Sequence, residues 1–180
     1  MILVSGHGRE AWLLRAVVRR LREEFAKLDL KVNEAKSRIV DLARGETFGF
    51  LGFEFRRIRS ARGVWRPQYT PQQKKRAGLL QKLREVFRRY QSQPIGRMVD
   101  EINPILRGWV NYFRIGHAGR CFTFVKDWVE KKVRRHMMRA RNRPGFGWKR
   151  WSRAWLYEAL GLFADYGVRY LSHAESTPGR

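Results

Sequence analysis

The chain has 180 residues, 43% of them hydrophobic and including 11 Phe, 7 Trp and 6 Tyr, enough apolar surface to bury a core and to exclude a disordered basic tail. Its 39 Lys and Arg against 16 Asp and Glu leave a net charge of +23, a self-repelling excess that points to a polyanionic partner, nucleic acid first. The single Cys121 excludes an internal disulfide framework, and His7, His117, His136 and His173 are too scattered for a zinc site.

Ile2, Leu3 and Val4 read as a short buried strand ended by a turn at residues 5–8. The run is far too short for a signal peptide or a membrane span, and a reducing, cytoplasmic setting fits best. A helix is predicted over 9–28, where Leu14, Val17, Val18, Leu21, Phe25 and Leu28 recur at helical spacing and form a stripe to pack on a sheet. A second short strand is predicted at 38–42, then a turn at 43–46. Along 47–58, Phe48 and Phe50 share one parity whereas Leu51, Phe53 and Phe55 share the other, so the strand switches faces near residues 49–52 by a bulge or bend. Residues 53–58 and 64–69 form a hairpin closed by 60–63.

At Thr70, Pro71, Gln72 and Gln73 the character changes to helix, with Thr70 as N-cap of a capping box and Pro71 at the first helical position. The helix that follows buries Leu79, Leu80, Leu83, Val86, Phe87 and Tyr90. The next starts near Ile95, kinks at Pro104 and continues through Leu106, Trp109, Tyr112 and Phe113, the three aromatics being core. A third runs over 122–141 on Phe122, Val125, Trp128, Val129, Val133 and Met137 and is broken at 143–147. A short helix over 154–163 caps the bundle, and 172–180 is a frayed tail.

The charge is uneven. Residues 72–150 carry 21 basic and 5 acidic groups, against 15 and 8 in residues 1–71 and 3 and 3 in residues 151–180. No helix pairs a basic face with a bulky apolar face left over from core packing, so a membrane surface is not the partner.

Two stretches carry a family resemblance. Residues 30–38 (Leu-Lys-Val-Asn-Glu-Ala-Lys-Ser-Arg), followed by Phe50-Leu51-Gly52-Phe53, resemble the last palm motifs of group II intron reverse transcriptases. Residues 103–113 (Asn-Pro-Ile-Leu-Arg-Gly-Trp-Val-Asn-Tyr-Phe) resemble the signature of their maturase-specific domain. The resemblance covers about residues 1–160 and implies that the chain starts just past the Tyr-X-Asp-Asp turn that holds the catalytic magnesium ions. Two-metal phosphoryl transfer needs converging carboxylates. No Asp-Asp pair occurs, and Glu23 with Glu24 or Asp100 with Glu101 are neighbours that diverge on a helix. No catalytic residue and no metal site is therefore assigned.

By similarity, Lys36 matches the palm lysine that approaches the triphosphate of the incoming nucleotide; without the resemblance it is a surface lysine. Ser37 stands where the family often has Thr and keeps the hydroxyl. Phe50, Leu51, Gly52 and Phe53 match the primer grip, where Gly49 and Gly52 have no side chain to obstruct a phosphate or a neighbouring strand. In the maturase-like segment Arg107, Asn111 and Arg114 fall on one helix face, and the two arginines could fork onto RNA phosphates. Lys131, Lys132, Arg134, Arg135, Arg139, Arg141 and Arg143 form a second basic block. From Lys131 to Arg150 there is no acid, whereas a merely solvated face would intersperse them.

The sequence thus predicts an α+β chain: a palm remnant at 1–69, a helical thumb or maturase domain at 70–163 and a C-terminal tail at 164–180. As the resemblance implies, it binds group II intron RNA and assists folding and splicing without catalysis of its own, magnesium belonging to the RNA or to a complete polymerase. The alternative is the C-terminal part of an RNA-directed DNA polymerase whose catalytic residues lie upstream or on another chain. A generic basic RNA-binding protein is the third possibility.

Overall fold

The computed structural model describes residues 11–34 and 37–169. The strand expected at 2–4 with its turn, Lys36 and the tail at 172–180 lie outside the described residues. The chain divides into two compact units, one up to Glu46 and one from Thr47 onward.

In the first unit α1 spans Ala11–Lys27. Its exposed face is laced by pairs one turn apart, Arg20 to Glu24 at 2.7 Å and Arg19 to Glu23 at 3.8 Å, each worth a few tenths of a kcal/mol at about 0.2–0.5. The stripe of Leu14, Val17, Val18, Leu21 and Phe25 is half-buried, with Leu14, Val18 and Ile39 lining an open groove. No sheet lies among the described residues of this unit. The strand predicted at 38–42 is replaced by irregular chain and a 3-10 turn, Leu42–Arg44. The reason is local: the Asp41 carboxylate accepts the Ala43 N–H at 2.9 Å, and Gly45, at φ 83°, returns its N–H to the Leu42 carbonyl. A side chain that satisfies the backbone within the turn competes with a strand ladder.

The second unit opens with an antiparallel sheet in the order β1 (Phe48–Phe50), β2 (Phe53–Arg59), β3 (Trp65–Pro71). The face switch is sharper than a bulge or bend. Leu51 at φ 47° and Gly52 at φ 78° both take left-handed conformations, and Phe50 pairs with Phe53, so the chain reverses in a two-residue turn. A leucine there is strained by roughly 1–2 kcal/mol. It is held because the Tyr112 hydroxyl donates to the Leu51 carbonyl at 2.8 Å and the Gln72 N–H to the Gly52 carbonyl at 2.9 Å. The second hairpin closes as expected: the Ser60 N–H donates to the Val64 carbonyl at 2.8 Å and Gly63 sits at φ 78°.

The capping box is not formed. Thr70 and Pro71 pair with Glu54 and Phe53 as the end of β3, and α2 begins at Gln73. Pro71 can end a strand because β3 is at the sheet edge, where a missing donor is tolerated. Three helices follow, α2 (Gln73–Arg89), α3 (Ile95–Phe113, unbroken through Pro104) and α4 (Gly119–Arg139), each packed on the other two. Their stripes close one core: Leu79, Leu80 and Leu83 from α2, Met98, Val99, Ile102, Leu106, Val110 and Phe113 from α3, and Phe122, Val125, Val129, Val133 and Met137 from α4. Phe53 joins this core edge-to-face with Phe113 at 5.0 Å, which docks the sheet on α3. Of the three aromatics predicted as core in α3, Phe113 is buried and Trp109 half-buried, but Tyr112 is 52% exposed because its hydroxyl serves the Leu51 turn.

After α4 the chain turns at 140–147 and makes one wide turn, Trp155–Ala159, in which the Leu160 N–H reaches the Trp155 carbonyl, in place of the longer helix predicted at 154–163. Residues 161–169 have no regular structure, and Leu156, Leu162 and Phe163 are buried in the helical core. The α+β class holds, with a small sheet and a helical bundle.

Candidate nucleic-acid interface

The maturase-like segment of α3 and the Arg114 that follows it build the core through Leu106, Val110 and Phe113 and also fasten the chain after α4. Asn103 grips it with both ends of its amide, Nδ2 donating to the Gly161 carbonyl and Oδ1 accepting the Phe163 N–H, each at 2.8 Å. Arg114, predicted as an RNA fork, is 9% exposed. Its Nη2 donates to the Asp165 carboxylate at 2.6 Å and to the Asp165 carbonyl at 3.2 Å, and the carboxylate bond, with a second from the Gly167 N–H, holds the Asp165 carboxyl below its ordinary pKa. The Arg114 carbonyl in turn accepts the Arg169 N–H at 2.8 Å. Residues 164–169 are thereby held to α3. Arg114 is structural, and only Arg107 and Asn111 of the predicted trio are exposed.

The basic block on α4 divides in the same way. Arg134 is 2% exposed. Its Nη1 donates to Glu130 at 3.1 Å and its Nε to the Trp151 carbonyl at 2.9 Å, while the guanidinium lies 4.4 Å from the Trp148 ring centre. Glu130, fully buried, also accepts from Arg153 at 2.9 Å and from the Tyr157 hydroxyl at 2.6 Å. Burial pushes the Glu130 carboxyl up, but the bonds from Tyr157, Arg153 and Arg134 outweigh it and hold the pKa below the usual value. Arg134 is thus excluded from an RNA surface: a buried guanidinium turned inward onto Glu130 and Trp151 has no exposed fork to offer a phosphate.

Lys131, Arg135, Arg139, Arg141 and Arg143 are exposed and Lys132 half-buried. Several rest on aromatic faces: Lys131 and Arg135 over Phe146 at 4.8 and 5.2 Å, Lys132 over Trp128 at 5.4 Å, and Arg141 over Trp151 at 5.1 Å. Such contacts restrain long side chains without neutralising them. Arg84 of α2 lies over the same Trp128 ring at 5.6 Å and extends the patch across two helices. Burial lowers the Lys132 pKa first, and then the charges of Arg84, Arg139, Arg135 and Lys131. The nearest acids of α4 are already engaged, Asp127 by Arg153 at 2.6 Å and Glu130 by three donors. The result is a set of neighbouring like charges, several of them restrained on aromatic rings, with no ion pair among the described residues.

The turn predicted as primer grip presents Leu51, 66% exposed, and Phe50 at its tip, while Phe53 points into the core. The two glycines leave room that the protein's own side chains enter. A side chain at Gly49 would collide with the Gln72 amide, which enters there to donate to the Phe53 carbonyl at 3.1 Å. One at Gly52 would touch Lys75 and Phe113. The space belongs to the protein's own contacts. Lys36 lies outside the described residues. Among the described residues no cluster of three or more His, Cys, Asp or Glu side chains could hold a metal ion, and no helix is long and apolar enough to cross a membrane.

With α2, α3 and α4 and their cationic face in place, the match to a known family has a physical counterpart. Residues 76–155 match the model of the group II intron, maturase-specific domain. The match supports reading residues 76–155 as the maturase-specific part of a group II intron protein. The matched span includes nearly all of α2, the whole of α3 and α4, and ends at Trp155 within the wide turn. It therefore contains Glu130 with its partners Arg134 and Arg153, though not Tyr157, and the exposed cations of α2 and α4. No curated protein matches the chain.

Sequence gives no role to Glu130 or Arg84, and Asn103 enters only as the first residue of the maturase-like motif. Glu130 and Arg134 stand four apart on α4, beside the buried Val129 and Val133, and that spacing was a legible sign of an internal pair. The partners of Asn103 lie 58 and 60 residues away, and no local pattern shows them.

Proposed function

We propose that the maturase domain binds group II intron RNA through the face built by Arg84, Lys131, Lys132, Arg135 and Arg139, and thereby assists folding and splicing of the intron without catalysing a reaction itself. The observation that carries this is the concentration of cations across α2 and α4, with the neighbouring carboxylates of α4 engaged elsewhere. Each cation that neutralises a phosphate releases condensed counterions, which drives binding, and lowers the repulsion that opposes compaction of RNA elements. Arg107 and Asn111 extend the contact along α3, Arg141 and Arg143 beyond α4. Magnesium is supplied with the RNA, and the setting is cytoplasmic.

Binding of the purified chain to a group II intron RNA and to a length-matched unrelated RNA, at about 0.15 M salt, tests this. A preference above about tenfold, or about 1.4 kcal/mol, that falls in Arg135→Gln/Arg139→Gln supports it. Equal binding to both RNAs would leave only a generic basic binder.

A second reading takes the exposed Phe50 and Leu51 turn as a primer grip, in a polymerase whose aspartates are supplied by an upstream reverse transcriptase portion. Primer extension with magnesium, on mixing the chain with such a portion, checks it. Failure of Leu51→Asp to alter extension would remove the turn from that role.

A further inference from the structure

Residues 55–71 contain five arginines, Arg56, Arg57, Arg59, Arg62 and Arg66, and no acid. They lie on β2, β3 and the turn between, outside the matched maturase span. β1 pairs only with residues 53–55 of β2, so beyond Phe55 the hairpin is a two-stranded ribbon with both edges unpaired in the sheet. All five arginines are exposed or half-buried, and none forms an ion pair among the described residues.

The register sets their directions. Arg57 pairs with Pro67 and Arg59 with Trp65, whereas Arg56 pairs with Gln68 and Ile58 with Arg66. Since side chains alternate along a strand, Arg57, Arg59 and Trp65 share one face and Arg56 and Arg66 the other. Three of these guanidiniums are tethered. Arg57 lies 4.9 Å over the Trp65 ring, Arg59 Nε donates to the Gly63 carbonyl at 3.0 Å, and Arg56 Nε to Gln68 at 2.6 Å. In the latter two the bond is made by Nε, and the terminal Nη donors stay available to another acceptor.

We propose that this ribbon is a second RNA contact, entering a groove of a folded RNA and setting guanidinium groups against the phosphates on both of its walls. A flat partner, whether a bilayer or a protein face, meets only one side of a ribbon, but groove walls meet both. The major groove of B-form DNA admits a two-stranded ribbon, whereas that of A-form RNA is deep and narrow. The ribbon therefore takes a groove opened by a bulge or internal loop. Charges on open strands also block edge-to-edge pairing, but acids would do that equally, and there are none. This contact rests on RNA being the partner and is independent of the α4 face.

The test uses the full chain, the variant Arg62→Gln/Arg66→Gln, which removes two exposed cations that hold no ion pair among the described residues, and Arg135→Gln/Arg139→Gln for comparison. The probes are an RNA hairpin with an internal bulge, the same hairpin fully paired, and vesicles of anionic phospholipid. The wild type is expected to prefer the bulged hairpin. The ribbon variant should bind it about tenfold more weakly at about 0.15 M salt, with the salt slope reduced by about 0.7–0.9 for each phosphate left unneutralised, and with unchanged thermal unfolding. Wild-type binding by the ribbon variant, alongside a weakened α4 variant, overturns the ribbon contact alone. Vesicle binding that depends on Arg62 and Arg66, with RNA binding unaffected, overturns it in favour of a membrane. No RNA binding by the wild type would overturn the maturase reading as well.

Discussion

Replacing Glu130 by Gln removes one charge from the most buried ion pair among the described residues. The wild-type carboxylate accepts three charge-assisted or hydroxyl bonds, from Arg134, Arg153 and Tyr157. At about 1.5–3 kcal/mol for each charged bond the simple sum overstates the loss, since the Arg153 side chain is 60% exposed and regains water. What remains is Arg134, 2% exposed, left as a buried cation without its counterion. Breaking a buried pair from one side costs about 3–5 kcal/mol, and the Gln oxygen retains part of the bonding, so a loss of about 2–4 kcal/mol is expected at pH 7. The pH dependence has a definite sign. The folded pKa of Glu130 is lower than its ordinary value, so the unfolded chain binds the proton more readily. The stabilisation is complete above the unfolded pKa and disappears as pH falls through the folded one. Urea unfolding of wild type and Glu130→Gln at pH 7 and in acid should show a large gap at pH 7 that narrows on acidification. A gap under about 0.5 kcal/mol at pH 7, or one that does not change with pH, would refute the role given to this network.

Neighbouring arginines should behave oppositely: Arg134→Gln lowers the unfolding midpoint and leaves the salt slope of RNA binding unchanged, while Arg135→Gln lowers the slope by about 0.7–0.9 and leaves the midpoint unchanged, as paired urea and filter-binding titrations would show. Asn103→Ala should cost about 1–3 kcal/mol by leaving the Phe163 N–H without its acceptor, and should raise hydrogen exchange and protease cleavage at residues 160–169 before the rest of the bundle. Added salt should raise the melting temperature of the free protein by screening the cluster on α2 and α4 while weakening its complex with RNA; a melting temperature that falls with salt would argue that these cations are neutralised within the fold.

Much of the bundle was legible because its signals are local. The spacing of Phe122, Val125, Val129, Val133 and Met137 reports a helix and its buried side together, and Ser60 with Gly63 reports a turn. The errors arose where a distant group decides the outcome. Thr70 and Pro71 have the chemistry of a helix start, yet strand pairing with Glu54 and Phe53 engages them first. Leu51 resembles any strand leucine, and only Tyr112 and Gln72 explain its left-handed backbone. Tyr112 was assigned to the core from its type and phase, but its hydroxyl takes it to the surface. On the candidate site, charge count located the cationic stretch without separating Arg134 from Arg135, which are identical in type and adjacent in sequence. Helix phase separates them: Arg134 flanks the stripe of Val129 and Val133 one turn after an acid, and Arg135 does not.

The division among the arginines follows from where the few acids are used. Asp127 and Glu130 hold Arg153 and Arg134, and Asp165 holds Arg114. All three of these acids act on the same task, fastening the chain after α4 back onto α3 and α4. Once they are engaged, Lys131, Lys132, Arg135 and Arg139 form no ion pair among the described residues. An acid added among them would relieve repulsion and stabilise the free domain, yet it would oppose a phosphate at the same place. A fold selected only for stability would have accepted that acid. Its absence from a surface where each like-charge neighbour costs about 0.2–0.5 kcal/mol is the strongest physical argument for a compensating charge from a polyanionic partner, the role proposed for RNA.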